Sequence, residues 1–76
     1  MSLSAFYTYR VTKENGYDKT TKSDNQIYVN KDQVVTLKDL TLTFDPEDTE
    51  SKAVSKVTFS NAMSIIISQE DAGSLK

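Results

Sequence analysis

The chain predicts an all-β fold, a small antiparallel meander of five to seven short strands curled into a barrel or a two-layer sandwich. Three observations carry that prediction. Apolar and polar residues alternate along segment after segment, as in Leu3, Ala5, Tyr7, Tyr9 and Val11 against Ser4, Thr8, Arg10 and Thr12. A period of two is what a strand needs to bury one face and wet the other. Turn-forming clusters recur at close intervals: Asn15-Gly16, Ser23-Asp24-Asn25, Lys31-Asp32 and Ser60-Asn61. The chain has 76 residues, enough for one domain.

The first strand is expected from Ser4 to Lys13, with the odd positions inward. Asn15-Gly16 follows as a two-residue hairpin loop, because both residues tolerate positive φ. That loop places Glu14 opposite Tyr17 and Lys13 opposite Asp18. The partner, Tyr17 to Lys22, is almost wholly polar and reads as an edge or a loose flap. A turn at Ser23-Asp24-Asn25 precedes a short strand from Gln26 to Asn30, with Ile27 and Val29 on one side. Gln33 to Leu37 is the next strand, with Val35 and Leu37 inward. The apolar parity then changes from odd to even at Leu40, Leu42 and Phe44. A one-residue slip turns every later side chain to the wrong face, so Lys38-Asp39 must hold a turn or a bulge.

Asp45, Pro46, Glu47 and Asp48 resemble a helix start, with Asp as N-cap, Pro at the first position and acids in the first turn. One short helical turn is expected near 46–53, with a plain loop as the alternative. Val54 to Phe59 is a strand with Val57 and Phe59 inward, and Ala62 to Ser68 is the most apolar strand. Residues 1–68 make the β domain, and 69–76 read as a flexible C-terminal tail. Met1-Ser2-Leu3 lacks the basic stretch and long apolar core of a signal peptide and is compatible with a cloning remnant. No apolar run reaches the length of a membrane span. The expected location is cytoplasmic or phage-particle associated. Richness in Lys, Asn, Asp, Thr and Ile fits a bacterial or phage origin.

Composition narrows the chemistry. Cysteine and histidine are both absent, which removes disulfides, thiolate sites and the common zinc arrangements. No nucleophile stands beside a recognisable base, and the two glycines are far apart. No catalytic residue, metal site or cofactor is expected. Asp45, Glu47, Asp48 and Glu50 lack the glycine and the order of a calcium loop; they read as a solvated connection. The net charge is −2, too mild for a counterion-driven grip on DNA. It is unevenly spread, with a balance of +2 over residues 1–38 and −4 over 39–76, a polarity that would allow head-to-tail pairing.

The residues that break the alternation are the best functional clue. Phe6, Tyr28, Val34 and Ile66 each oppose the apolar parity of their strand. Together they are expected to form an outward patch, the interface of a non-catalytic structural or interaction module. Its partner would be a second copy, giving a homo-oligomer, or a larger protein, with no membrane involved. Strand addition along Tyr17 to Lys22 would extend the contact. The alternative reading is a single-stranded nucleic-acid-binding small barrel that uses Arg10, Lys19, Lys22 and Tyr28.

Overall fold

In the computed structural model, which describes residues 3–75, the chain forms five strands in two antiparallel sheets and one short helix. Strands β1 (Leu3–Glu14) and β2 (Tyr17–Asn30) form one long hairpin. Asn15 and Gly16 close it with φ of 52° and 82°, the left-handed pair that matches strand twist. Glu14 faces Tyr17 and Lys13 faces Asp18, as the loop predicts. Twelve residues at about 3.3 Å each reach roughly 40 Å, so the hairpin accounts for the 41 Å long axis of the molecule.

The expected turn at Ser23-Asp24-Asn25 is a bulge within β2. The register passes from Tyr7↔Gln26 to Tyr9↔Lys22, leaving three residues of β2 against Thr8. The Thr8 hydroxyl donates to Ser23 Oγ (3.1 Å), and Ser23 Oγ donates to the Asn25 carbonyl (2.8 Å). Turn-forming side chains can satisfy backbone groups locally, so here they interrupt a ladder without reversing the chain.

The second sheet holds β3 (Val34–Asp39), β4 (Val54–Phe59) and β5 (Ser64–Ser68) in the order β3-β4-β5. A single 3₁₀ turn, Lys31–Gln33, leads into β3, its start capped by the Asn30 side chain. Lys38 and Asp39, expected to hold a turn or a bulge, pair regularly with Lys56 and Ser55, and the irregularity in this strand lies earlier, where none was expected. Val34 pairs with Phe59 and Thr36 with Thr58, so Val35 is bulged out. The bulge puts Val34 and Leu37 on the core side together and leaves Val35 exposed, the reverse of the expected placement of Val34 and Val35.

Residues 40–53 carry no strand. Leu40, Leu42 and Phe44 keep their alternation and are half-buried, but only an isolated bridge joins Phe44 to Asp18. The helical turn expected near 46–53 is absent. Asp45 Oδ1 accepts the Glu47 N–H (3.0 Å), and Asp48 Oδ1 accepts those of Glu50 (2.9 Å) and Ser51 (3.2 Å). Two aspartates taking backbone donors in this way favour turns over a helix.

The two sheets enclose one core and do not close into a barrel. Phe6, Val29, Val57, Ile67, Ala72 and Leu75 form its buried centre, with Ile27, Val34, Leu37, Phe59 and Ile65 packed against it. Residues 69–75 are part of this core rather than a fraying tail. Helix α1 (Gln69–Gly73) is capped by Ser68 Oγ, which accepts the Asp71 N–H (3.1 Å), and Ala72 and Leu75 are buried. Met1, Ser2 and Lys76, on which part of the terminal expectations fell, lie outside the described residues. Among the described residues no helix is long and apolar enough to cross a membrane.

Candidate interaction surface

The four expected interface residues do not form one outward patch. Phe6 is only 7% exposed, faces Ile27 across the hairpin and lies in the core. Core burial falls on the even side of β1 because Ile27 and Val29 are there; phenylalanine also brings no hydroxyl that would need a partner, unlike Tyr7 and Tyr9. Val34 is turned against the core by the Val35 bulge. Ile66 is half-buried on the outer side of β5, in a groove with Thr8, Tyr9, Lys56 and Ser64. Tyr28 alone is fully outward, 75% exposed, and opens onto a different groove.

The edge expected to accept an added strand, Tyr17 to Lys22, is already covered. Asp18 donates its N–H to the Thr43 carbonyl (2.8 Å), and Asp18 Oδ2 accepts the Thr43 N–H (3.0 Å). Thr20 is buried; its N–H reaches Ser51 Oγ (3.4 Å), and its Oγ1 accepts the Lys52 N–H (2.8 Å). Residues 40–53 thus strap the outer half of the hairpin, as edge protection requires.

Exposed bulk collects instead at the end of the molecule away from the hairpin turn, where β1 and β3 begin, β2 ends and β4 turns into β5. Leu3, Tyr28 and Phe59 line one groove there with Asn30, Gln33, Ser60 and Asn61. Met63, 64% exposed, stands on the adjoining turn. That turn is tightly held. Phe59 and Met63 are joined through the Phe59 N–H (2.8 Å), Met63 N–H reaches Asn61 Oδ1 (3.1 Å), and Ser60 is tied to Gln33 by its N–H (2.9 Å) and its hydroxyl (2.7 Å). Ala62 sits at φ 68°, a left-handed conformation that costs an L-residue roughly 1 kcal/mol. Ala62→Gly is therefore expected to stabilise the fold by up to about 1 kcal/mol in denaturant unfolding.

The opposite end is acidic. Glu14, Asp18, Asp45, Glu47 and Asp48 surround a shallow groove with Tyr17 and Lys19. Three of these carboxylates, Asp18, Asp45 and Asp48, accept hydrogen bonds from the strap's backbone. Ser51 Oγ donates to Asp48 Oδ2 (2.6 Å), and that bond, with the Glu50 and Ser51 N–H groups and the charge of Lys19, holds the Asp48 carboxyl below the usual aspartate range against a small opposing effect of burial. A depressed value means that the stabilisation is present above the unfolded pKa and is lost as pH falls through the folded one. Titration by NMR should place the Asp48 midpoint below that of an aspartate peptide, and Ser51→Ala should raise it. Lys19 stands 3.9 Å from Glu14, with both side chains largely in water, a pair of little energetic weight. Among the described residues no group of three or more potential metal ligands converges.

The expected nucleic-acid contacts divide between two faces of the hairpin. Lys19 pairs with Thr12 and Arg10 with Thr21 on one face, whereas Lys22 pairs with Tyr9 and Tyr28 with Ala5 on the other. Lys19 is also enclosed by the acidic end. Sequence reasoning did not single out Leu3, Phe59 or Met63: Leu3 entered with the start of the chain, Phe59 as an inward strand position and Met63 only within the apolar segment from Ala62 to Ser68. Lys38 and Lys56 were passed over as well. The chain matches no protein-family model, no curated protein and no solved structure.

Proposed function

We propose that this chain is a non-catalytic interaction module that pairs with a second copy of itself through the end formed by Leu3, Tyr28, Phe59 and Met63. The observation that carries the reading is the exposure of large apolar side chains there, Leu3 58%, Met63 64% and Tyr28 75%. They leave on the order of 400 Å² of largely apolar side chain in water, within the range at which patches on small monomers tend to be functional.

Charge favours a second copy as the occupant. A two-fold contact brings each group onto its own surface again, so a self-complementary patch must avoid net charge. The groove here is lined by Asn30, Gln33, Ser60 and Asn61 with no ionised side chain, and the nearby Lys31 and Asp32 cancel. The acidic end has no such neutrality. A small domain without disulfides also gains stability from association. Such a unit suits an assembled particle of bacterial or phage type. The absence of histidine and cysteine supports a non-catalytic role.

Light scattering from about 10 μM to 1 mM tests the proposal. The mass should rise from one chain toward two, and Tyr28→Asp and Met63→Lys should each hold it at one chain, with the melting temperature equal to that of wild type at dilutions where wild type is a single chain. A wild-type mass of one chain throughout, or variants that associate like wild type, would overturn it.

A further inference from the structure

A separate surface, independent of the self-pairing end, carries a second chemistry. β1 runs alongside β5 without ladder pairing, and Tyr9, Ile66, Lys56 and Ser64 line one groove across that seam. The outward faces of the two sheets therefore meet. Register extends the line in both directions. Lys56 stands opposite Ile66 on one side and Lys38 on the other, and Tyr9 stands opposite Lys22. One transverse row thus reads Lys38, Lys56, Ile66, Tyr9, Lys22 across all five strands.

Three features set this row apart from scattered surface charge. All three lysines are exposed, and within the described residues none has a carboxylate at ion-pair distance. Lys38 and Lys56 face each other directly across the ladder, an arrangement of like charges that a strand pair disfavours. Lys22 is held in place by its position 4.1 Å from the centre of the Tyr7 ring, on the same hairpin face as Tyr9. Cations at strand spacing, with aromatic surface between them and no acid on the row, match a polyanion that also carries flat rings.

We propose that this row binds single-stranded nucleic acid, with Lys22, Lys38 and Lys56 on phosphates and Tyr9 offering its accessible face to a base. Stacking tolerates any base, and phosphate contacts carry no sequence information, so binding is sequence-tolerant and strongly salt-dependent. Six of the eleven acids, Glu14, Asp18, Asp45, Glu47, Asp48 and Glu50, belong to the hairpin turn and its strap rather than to this row.

The test is fluorescence anisotropy of labelled 20-nucleotide oligothymidylate, and its RNA counterpart, titrated with the full chain at several salt concentrations. Three phosphate contacts predict a log–log salt slope of about −2 for a single strand. Lys22→Gln, Lys38→Gln and Lys56→Gln should each reduce its magnitude by about 0.7 and weaken binding at least about threefold at low salt. Arg10→Gln, on the opposite hairpin face, should leave both unchanged. Melting curves confirm that each variant is folded. Absence of binding at low salt, or an equal loss with Arg10→Gln, would overturn the proposal. So would lysine variants that leave anisotropy unchanged yet lower the mass seen by light scattering, since the row would then serve contact between copies.

Discussion

Phe6→Ala is expected to cost about 3–5 kcal/mol of folding stability, against less than about 1 kcal/mol for Tyr28→Ala. Phe6 faces Ile27 and clusters with Val29, Val57 and Ile67 at the meeting of the hairpin and the three-stranded sheet. Phe6 and Val29 are the hairpin side chains buried in that cluster, so removal of the larger ring opens a cavity between layers instead of at an edge. Small domains have about 5–15 kcal/mol in total, so the variant should approach complete unfolding at physiological temperature. Urea denaturation of the two variants settles the order. If Phe6 faced outward, as simple alternation suggests, the loss would be small and would appear in association instead.

Ending the chain at Ser68 should cost a comparable amount. It removes Ala72 and Leu75, both buried in the core, together with the cap in which Ser68 accepts the Asp71 N–H. Burial of one leucine is worth about 1.5–3 kcal/mol, and loss of a cap adds about 1 kcal/mol. Val57 and Ile67 would also be uncovered. A lowered unfolding midpoint, reproduced by Leu75→Asp in the full-length chain, is the expected result. A frayed tail would give no change in either.

These two cases show where sequence reasoning held and where it failed. Asn15-Gly16 specified the hairpin because its positive-φ requirement admits few residues. Val57 and Phe59 were placed inward by a simple alternation, and Val57 is buried with Phe59 packed against the core. β1 was harder, since its odd side has more apolar residues and its even side has Phe6. The decisive signal was in the hairpin register. A two-residue loop pairs odd positions of β1 with even positions of β2, so Ile27 and Val29 can share a face only with even residues such as Phe6. The bulge at Ser23-Asp24-Asn25 adds two residues and preserves that parity. Val35 gave no comparable sign, because a bulge depends on the partner strand. The helix at Gln69–Gly73 was marked by Ser68 with Asp71 three residues on, a recognisable cap obscured by the polar character of the segment.

The candidate surface was less legible for a related reason. Tyr28 was identified because it breaks a local pattern. Met63 follows its pattern and is exposed because a turn held by Gln33 and Asn61 carries the chain away from the core, whereas Phe59 packs against the core and only borders the groove. The lysine row is a property of register across strands far apart in sequence, which no single segment displays.

Self-pairing through the end opposite the hairpin turn is the claim on which the account depends. Amide chemical shifts followed from dilute to concentrated protein test it directly. Concentration-dependent changes should be confined to residues 3, 28–30, 33–35 and 59–63, leaving the acidic hairpin turn and residues 45–51 unmoved. Spectra that do not change with concentration, or changes centred on the hairpin turn, would contradict it.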